Sequence, residues 1–169
     1  VFRHANGVED LKTSPSNIGA RLAAIVSALG DLEKKTDPDW EAKIRQLTSD
    51  TNRILMFLEK ARTVENFYYR YYWLHPSQRE ANGMPRPDPA SEISSVDNAN
   101  LTAGMIAAAA FFEKRVPDYS ERFLNLIRKQ NYRVFYDPVR GLMTHGFRPT
   151  LLGRQGENLP NHYDLFFTE

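Results

Sequence analysis

"SSVDNANLTAGMIAAAAFF", Ser94 to Phe112, is the stretch on which the reading of the fold turns. Leu101, Met105, Ile106, Ala109 and Phe112 recur in helical phase, so its body is a helix. Its start is crowded with Ser94, Ser95, Asp97, Asn98 and Asn100. A helix needs one capping side chain for its free N–H groups, and Ser94, Ser95 or Asp97 can each serve. The surplus reads as the rim of a cleft. The small residues that follow, Ala99, Ala103, Gly104 and Ala107 to Ala110, let neighbouring helices approach closely.

Outward from this helix, the same layout occurs earlier in the chain. "TSPSN" leads into a first helix with Ile18, Leu22, Ile25 and Leu29 on one stripe. Ser14 or Ser16 can cap it, and Pro15 suits a first turn that needs no donor. Asp37-Pro38 breaks the chain, and Trp40, Ile44, Leu47, Thr51, Leu55 and Leu58 mark a second helix. The aromatic run 67–73 has no helical period, and 75–92, rich in Pro, Gly and small polar residues, is a loop. After the central helix, Pro117-Asp118 opens a fourth, carrying Phe123, Leu124 and Ile127 down to Gln130. "YRVFYDPVRGLMTHGF" alternates about "DPVRG" as a hairpin does. "YDLFFTE" begins something apolar.

The unit is a helical hairpin with a polar entrance and an aromatic exit, present twice, with a third beginning. Such self-similarity predicts stacked helix pairs, as in solenoids and toroids. The expected architecture is a single all-α domain over 1–169, and two and a half units predict that the chain continues. Val1 opens it without a signal peptide, as in a processed chain.

Bulk properties narrow the function classes. The net charge of +1 gives no field for nucleic acid or an anionic membrane. The longest apolar run, "MIAAAAFF", is too short to span a bilayer. The absence of cysteine removes disulfides, thiolate metal sites and a cysteine nucleophile. A bacterial periplasmic or extracellular location suits these facts. His4, His75, His145 and His162 have no ligand spacing, so no metal site is expected.

Aromatic residues make up 12% of the chain and cluster in "NFYYRYYWLHP", "NYRVFYDP" and "NHYDLFF". Aromatic faces flanked by Asp, Asn, Arg and Tyr suit a sugar, whose C–H faces stack while its hydroxyls need partners. Arg70, Arg133 and Arg148 beside aromatics could instead stack on nucleic-acid bases. The charge balance argues against that. The tyrosines could also be core filling between helices.

Cleavage of a glycosidic bond asks for two carboxyl groups, one protonated and one ionised. Glu169, after Phe166 and Phe167, has the apolar neighbours that suit a general acid. Asp97, at a helix entrance, suits a base or a hydroxyl contact. The plain alternative for Asp97 is that it only caps the helix.

Four segments in order carry a resemblance: "TSPSNIG", "SSVDNANL", "FYDPVRGLMTHGF" and "HYDLFFTE". Together they resemble the glucoamylase-like domain that acts on β-1,2-glucans. That family includes the endo-β-1,2-glucanases of glycoside hydrolase family 144 and the related domain of cyclic β-1,2-glucan synthases. The resemblance runs from about Thr13 to Glu169. It implies an (α/α)6 toroid, of which this chain would cover about the N-terminal half, with short hairpin-like loops. It also implies a glycoside hydrolase cleaving β-1,2-linked glucan without a cofactor, with a glucan or oligosaccharide as substrate.

By position, Glu169 matches the family's candidate acid and Asp97 the aspartate of its S-V-D motif. Thr13, Asn17, Tyr72, Asn98, Asn100, His162, Tyr163 and Asp164 fall at or beside motif positions expected to bind substrate. Two departures stand out. Tyr71-Tyr72-Trp73 replaces the family's W-Y-D, removing an acidic residue, and the 75–92 loop is long. The alternatives are a transglycosylase on the same glucan, and a non-catalytic helical-repeat module that binds a glycan or protein.

Overall fold

The structure is a computed structural model that describes residues 2–3, 9–34, 38–150, 155–160 and 162–163. Its helices are α1 (Pro15–Leu32), α2 (Trp40–Lys60), α3 (Ser95–Phe112) and α4 (Pro117–Arg128), with a 3₁₀ turn at Tyr132–Phe135. In α1 the Asn17 N–H donates to Ser14 Oγ (3.2 Å), which fixes Ser14 as the cap, and Pro15 occupies the first turn. Leu22, Ile25 and Leu29 bury the helical stripe.

Two hairpins lie side by side. Arg21 of α1 pairs with Asp50 of α2 (3.1 Å), and Thr102 of α3 bonds Gln130 just beyond α4 (2.6 Å), so each pair runs antiparallel. Between hairpins, Asn100 Nδ2 donates to Ser16 Oγ (3.1 Å) at one end, and Arg115, just past α3, pairs with Glu33, just past α1, at the other. α1 and α3 are therefore parallel and start at the same end. Their contact is set by glycines: a Cβ on Gly19 would lie 2.3 Å from the Asn100 carbonyl oxygen.

The expected all-α toroid is corrected: the architecture is mixed α/β. Twelve short strands accompany the helices among the described residues. They are β1 (Phe2–Arg3), β2 (Glu9–Asp10), β3 (Lys12–Thr13), β4 (Thr63–Val64), β5 (Phe67–Tyr68) and β6 (Tyr72–Trp73). The rest are β7 (Ile93–Ser94), β8 (Tyr136–Asp137), β9 (Leu142–Thr144), β10 (Gly146–Pro149), β11 (Gln155–Asn158) and β12 (His162–Tyr163). All pair antiparallel, as β1–β2, β3–β6, β4–β5, β11–β10–β7 and β12–β9–β8.

The physical reason is strand length. Two-residue strands show no period-2 pattern, so 75–92 reads as a loop although Ile93 and the aromatic run before it pair across the chain, while the alternation about "DPVRG" corresponds to the β8–β9 pair. The β4–β5 turn is made by Glu65 (φ 52°) and Asn66 (φ 63°), the two left-handed residues of a primed hairpin turn, with Val64 paired to Phe67. β10 reaches β7 through Gly146, where a Cβ would meet the Ile93 carbonyl oxygen at 2.1 Å.

Aromatic side chains fill the core under these strands. Phe67 packs edge-on against Phe135 (4.8 Å between centroids) and Tyr132 (5.0 Å), and Phe135 stacks on Phe147 (5.5 Å). α3 is apolar on nearly every side, and its outer side leaves Val96 and Ile106 exposed. No helix among the described residues is long and apolar enough to cross a membrane.

Candidate functional site

Three short strands decide what meets at the shared start of α1 and α3. β3 runs into α1, β7 runs into α3, and β6 pairs with β3 through Lys12 with Trp73 and Thr13 with Tyr72. The 69–71 segment between β5 and β6 is tied to the residues before β7 by the Arg70 N–H, which donates to the Glu92 carbonyl (2.9 Å). These pairings gather Lys12, Arg70, Tyr71, Trp73, Glu92 and Asp97 into one ridge.

The ridge alternates charge and aromatic face. Lys12 Nζ sits 3.9 Å from the centre of the Trp73 ring and 5.9 Å from that of Tyr71, while pairing with Asp88 (3.0 Å). The Arg70 guanidinium lies 5.3 Å from the Tyr71 ring centre. It hydrogen-bonds Glu92 and reaches Asp97 Oδ2 at 3.8 Å. A cation over a ring face holds both flat and oriented. The bond to Glu92 raises the Arg70 pKa, burial opposes it, and the Asp97 charge adds to the rise.

Asp97 has a side chain free of capping duty. Ser94 caps α3, its Oγ accepting the Asp97 N–H (3.3 Å). The Asp97 carboxylate therefore faces Arg70, with its side chain 15% exposed. Ser95 turns inward and donates to the Thr144 carbonyl (2.9 Å).

The other sequence candidates separate. Asn98 is fully buried: its Oδ1 accepts the Tyr68 N–H (2.8 Å), and its Nδ2 donates to the carbonyls of Tyr68 (3.0 Å) and Ser94 (2.8 Å). It latches the aromatic segment to α3 and has no group left for a ligand. Tyr72 is likewise buried. Its hydroxyl donates to the Arg62 carbonyl (2.6 Å) and accepts the Tyr69 N–H (3.2 Å), and burial pushes its pKa well above the tyrosine range. The expectation that Asn98 and Tyr72 contact substrate is corrected to a structural role.

Asn17 and Asn100 are exposed at the helix starts, beside the ridge, with Asn100 bridging to Ser16. Thr13 borders a separate groove of about 260 Å³ with Ile18, Ile54 and Phe57. His162 and Tyr163 are placed by backbone alone, opposite Thr144 and Met143. Asp164 and Glu169 lie outside the described residues, as does the apolar segment expected to open a third helix pair.

Lys12, Glu92 and Asp88 were not singled out by the sequence. Their only trace is charge beside an aromatic stretch, and pairings across 22 residues (Arg70–Glu92) leave no local pattern. Among the described residues no group of three His, Asp or Glu is placed to hold a metal ion. Comparison with protein-family models, curated proteins and solved structures finds no match to the chain.

Proposed function

We propose that the chain belongs to a carbohydrate-active enzyme, a glycoside hydrolase that cleaves β-1,2-linked glucan by general acid/base catalysis. The observation that carries this reading is the Asp97 carboxylate. It is released from capping by Ser94 and set beside Arg70, whose guanidinium also lies 5.3 Å from the centre of the Tyr71 ring. Half-buried aromatic rings next to fixed carboxylates and cations suit a sugar's alternating C–H and hydroxyl surfaces. The ordered motifs that resemble β-1,2-glucan-active proteins supply the linkage.

In this mechanism Tyr71 and Trp73 are the stacking faces, and Arg70 and Lys12 orient hydroxyls. Asp97 accepts a proton or a hydroxyl bond, and Glu169 protonates the leaving oxygen, a role it takes from its sequence position. Incubation of the protein with β-1,2-glucan, followed by product sizing, tests the reading. Shortened chains are expected, and rearranged chains of unchanged bond number indicate the transglycosylase variant. Glucan left unchanged sinks both.

One observation favours a binding module as the second reading. The ridge charges are already paired among themselves, Lys12 with Asp88 and Arg70 with Glu92, as in a rigid docking platform. A module predicts glucan binding that Glu169→Gln leaves intact, with no change in chain length.

A further inference from the structure

A second polar pocket lies apart from the ridge and shares no lining residue with it. It encloses about 180 Å³, bounded by Arg62, Tyr69, Glu80, Arg86 and the prolines Pro87 and Pro149. We propose that this pocket binds a phosphate group, carried on a small molecule with neighbouring hydroxyls.

The first feature is an excess of positive charge, with Arg62 and Arg86 facing one carboxylate, Glu80, in the lining. Arg21, Arg45, Arg53, Arg70, Arg115, Arg122 and Arg128 each have a carboxylate partner. Arg62 and Arg86 line one pocket, and among the described residues neither guanidinium has a hydrogen bond or an ion pair. Two guanidinia left unpaired around one space are an anion site in waiting, since they present rigid forks of donors with no acceptor.

The second is the geometry that holds them. The Arg62 carbonyl accepts the buried Tyr72 hydroxyl, which accepts the Tyr69 N–H in turn. Tyr69 also meets Tyr72 edge-on at 6.2 Å. On the facing wall, the Arg86 N–H donates to the Gln78 carbonyl (3.0 Å) and its carbonyl accepts the Trp73 N–H (2.9 Å). Pro87 bridges to Tyr72, and the prolines stiffen that wall. The backbones are fixed, so binding has only the arginine heads to order.

The third is the donor set. Arg62, Arg86 and the Tyr69 hydroxyl offer three donor groups. A phosphoryl group presents three free oxygens, whereas a carboxylate presents two in one plane. Glu80 is the charged acceptor in the lining and suits a hydroxyl beside the phosphate. Burial raises the Tyr69 pKa, with Arg62 lowering and Glu80 raising it, so both charges act at this phenol.

Titration of the protein with inorganic phosphate, glucose 6-phosphate and acetate, read by calorimetry and by the Tyr69 ring signals in NMR, tests this without any glucan. Saturable binding of both phosphates, with shifted Tyr69 signals and weak or no acetate binding, is expected. Arg62→Gln and Arg86→Gln change exposed side chains and leave the backbone bonds in place. Each should raise the dissociation constant about tenfold or more, because each removes a charge-assisted contact. Arg133→Gln, outside the pocket, should leave it unchanged. Absence of saturable phosphate binding, binding unaltered in both pocket variants, or acetate binding as tightly as phosphate would each overturn the proposal.

Discussion

Gly19 of α1 and Gly104 of α3 lie against each other with no space for a side chain. A Cβ on Gly104 would come within 2.4 Å of the Gly19 carbonyl oxygen. That contact is backbone against backbone, so neither partner can swing away. It brings the starts of the two parallel helices together and, with them, Ser16, Asn100 and Asp97.

Gly104→Ala must therefore push the hairpins apart. A loss of about 1–3 kcal/mol is expected from overpacking, read as a lower urea midpoint at unchanged slope. Gly30→Ala is the control, since a Cβ there meets nothing within 4 Å. It should be neutral or slightly stabilising, as alanine favours the helix.

Asn98→Leu tests the latch between the aromatic segment and α3. It strands three buried partners, the Tyr68 N–H and the carbonyls of Tyr68 and Ser94. An unsatisfied buried group costs about 1–3 kcal/mol, so a loss of several is expected in denaturant melts. Asn100→Ala, which removes one exposed bond to Ser16, should cost well under about 1 kcal/mol.

The β4–β5 turn carries Glu65 in the left-handed region, where a residue with a Cβ is strained. Replacing Glu65-Asn66 with Asn-Gly, the pair that primed turns favour, should stabilise by roughly 1 kcal/mol. A higher midpoint of thermal unfolding checks it.

How much of this was legible follows from the range of each signal. The helices were readable because Leu22, Ile25 and Leu29, or Leu101, Met105 and Phe112, repeat along one face over many turns. Of the small sheets, the β8–β9 turn about "DPVRG" was legible, whereas β3–β6 and β10–β7 were not, because each offers two to four residues and pairs with a distant segment. Tyr72 looked like a sugar platform because its composition is that of one. Only the backbone pairing with Thr13 shows that it points inward while Tyr71 and Trp73 border the surface. The surplus polar start of α3 was legible as a feature. Its division into a cap (Ser94), inward anchors (Ser95, Asn98) and outward groups (Asp97, Asn100) needed the third dimension.

Acid should weaken the link between α2 and α4. Glu59 forms a forked pair with Arg122 (2.7 and 2.9 Å), and that hydrogen bonding lowers its pKa below the ordinary 4.5, burial opposing. A lowered folded-state pKa means the native state binds its proton less readily than the unfolded chain does. The contribution is full above 4.5 and fades as pH falls through the lower folded-state value. Both groups are partly exposed, so it is about 1 kcal/mol or less. Glu59→Gln should flatten the stability profile between pH 5 and pH 3 by that amount, on the order set by carboxylate titration.

The central claim is that the Asp97 ridge acts on β-1,2-glucan. The most direct measurement is reducing-end release from β-1,2-glucan by the protein and by Asp97→Asn, with glucan binding followed in parallel. The account predicts shortened chains from the parent. In the variant it predicts a rate about 10²- to 10⁴-fold lower, with binding largely kept, as for loss of a proton-transfer group. Equal rates for the two proteins, or no bond cleavage by the parent, would contradict it.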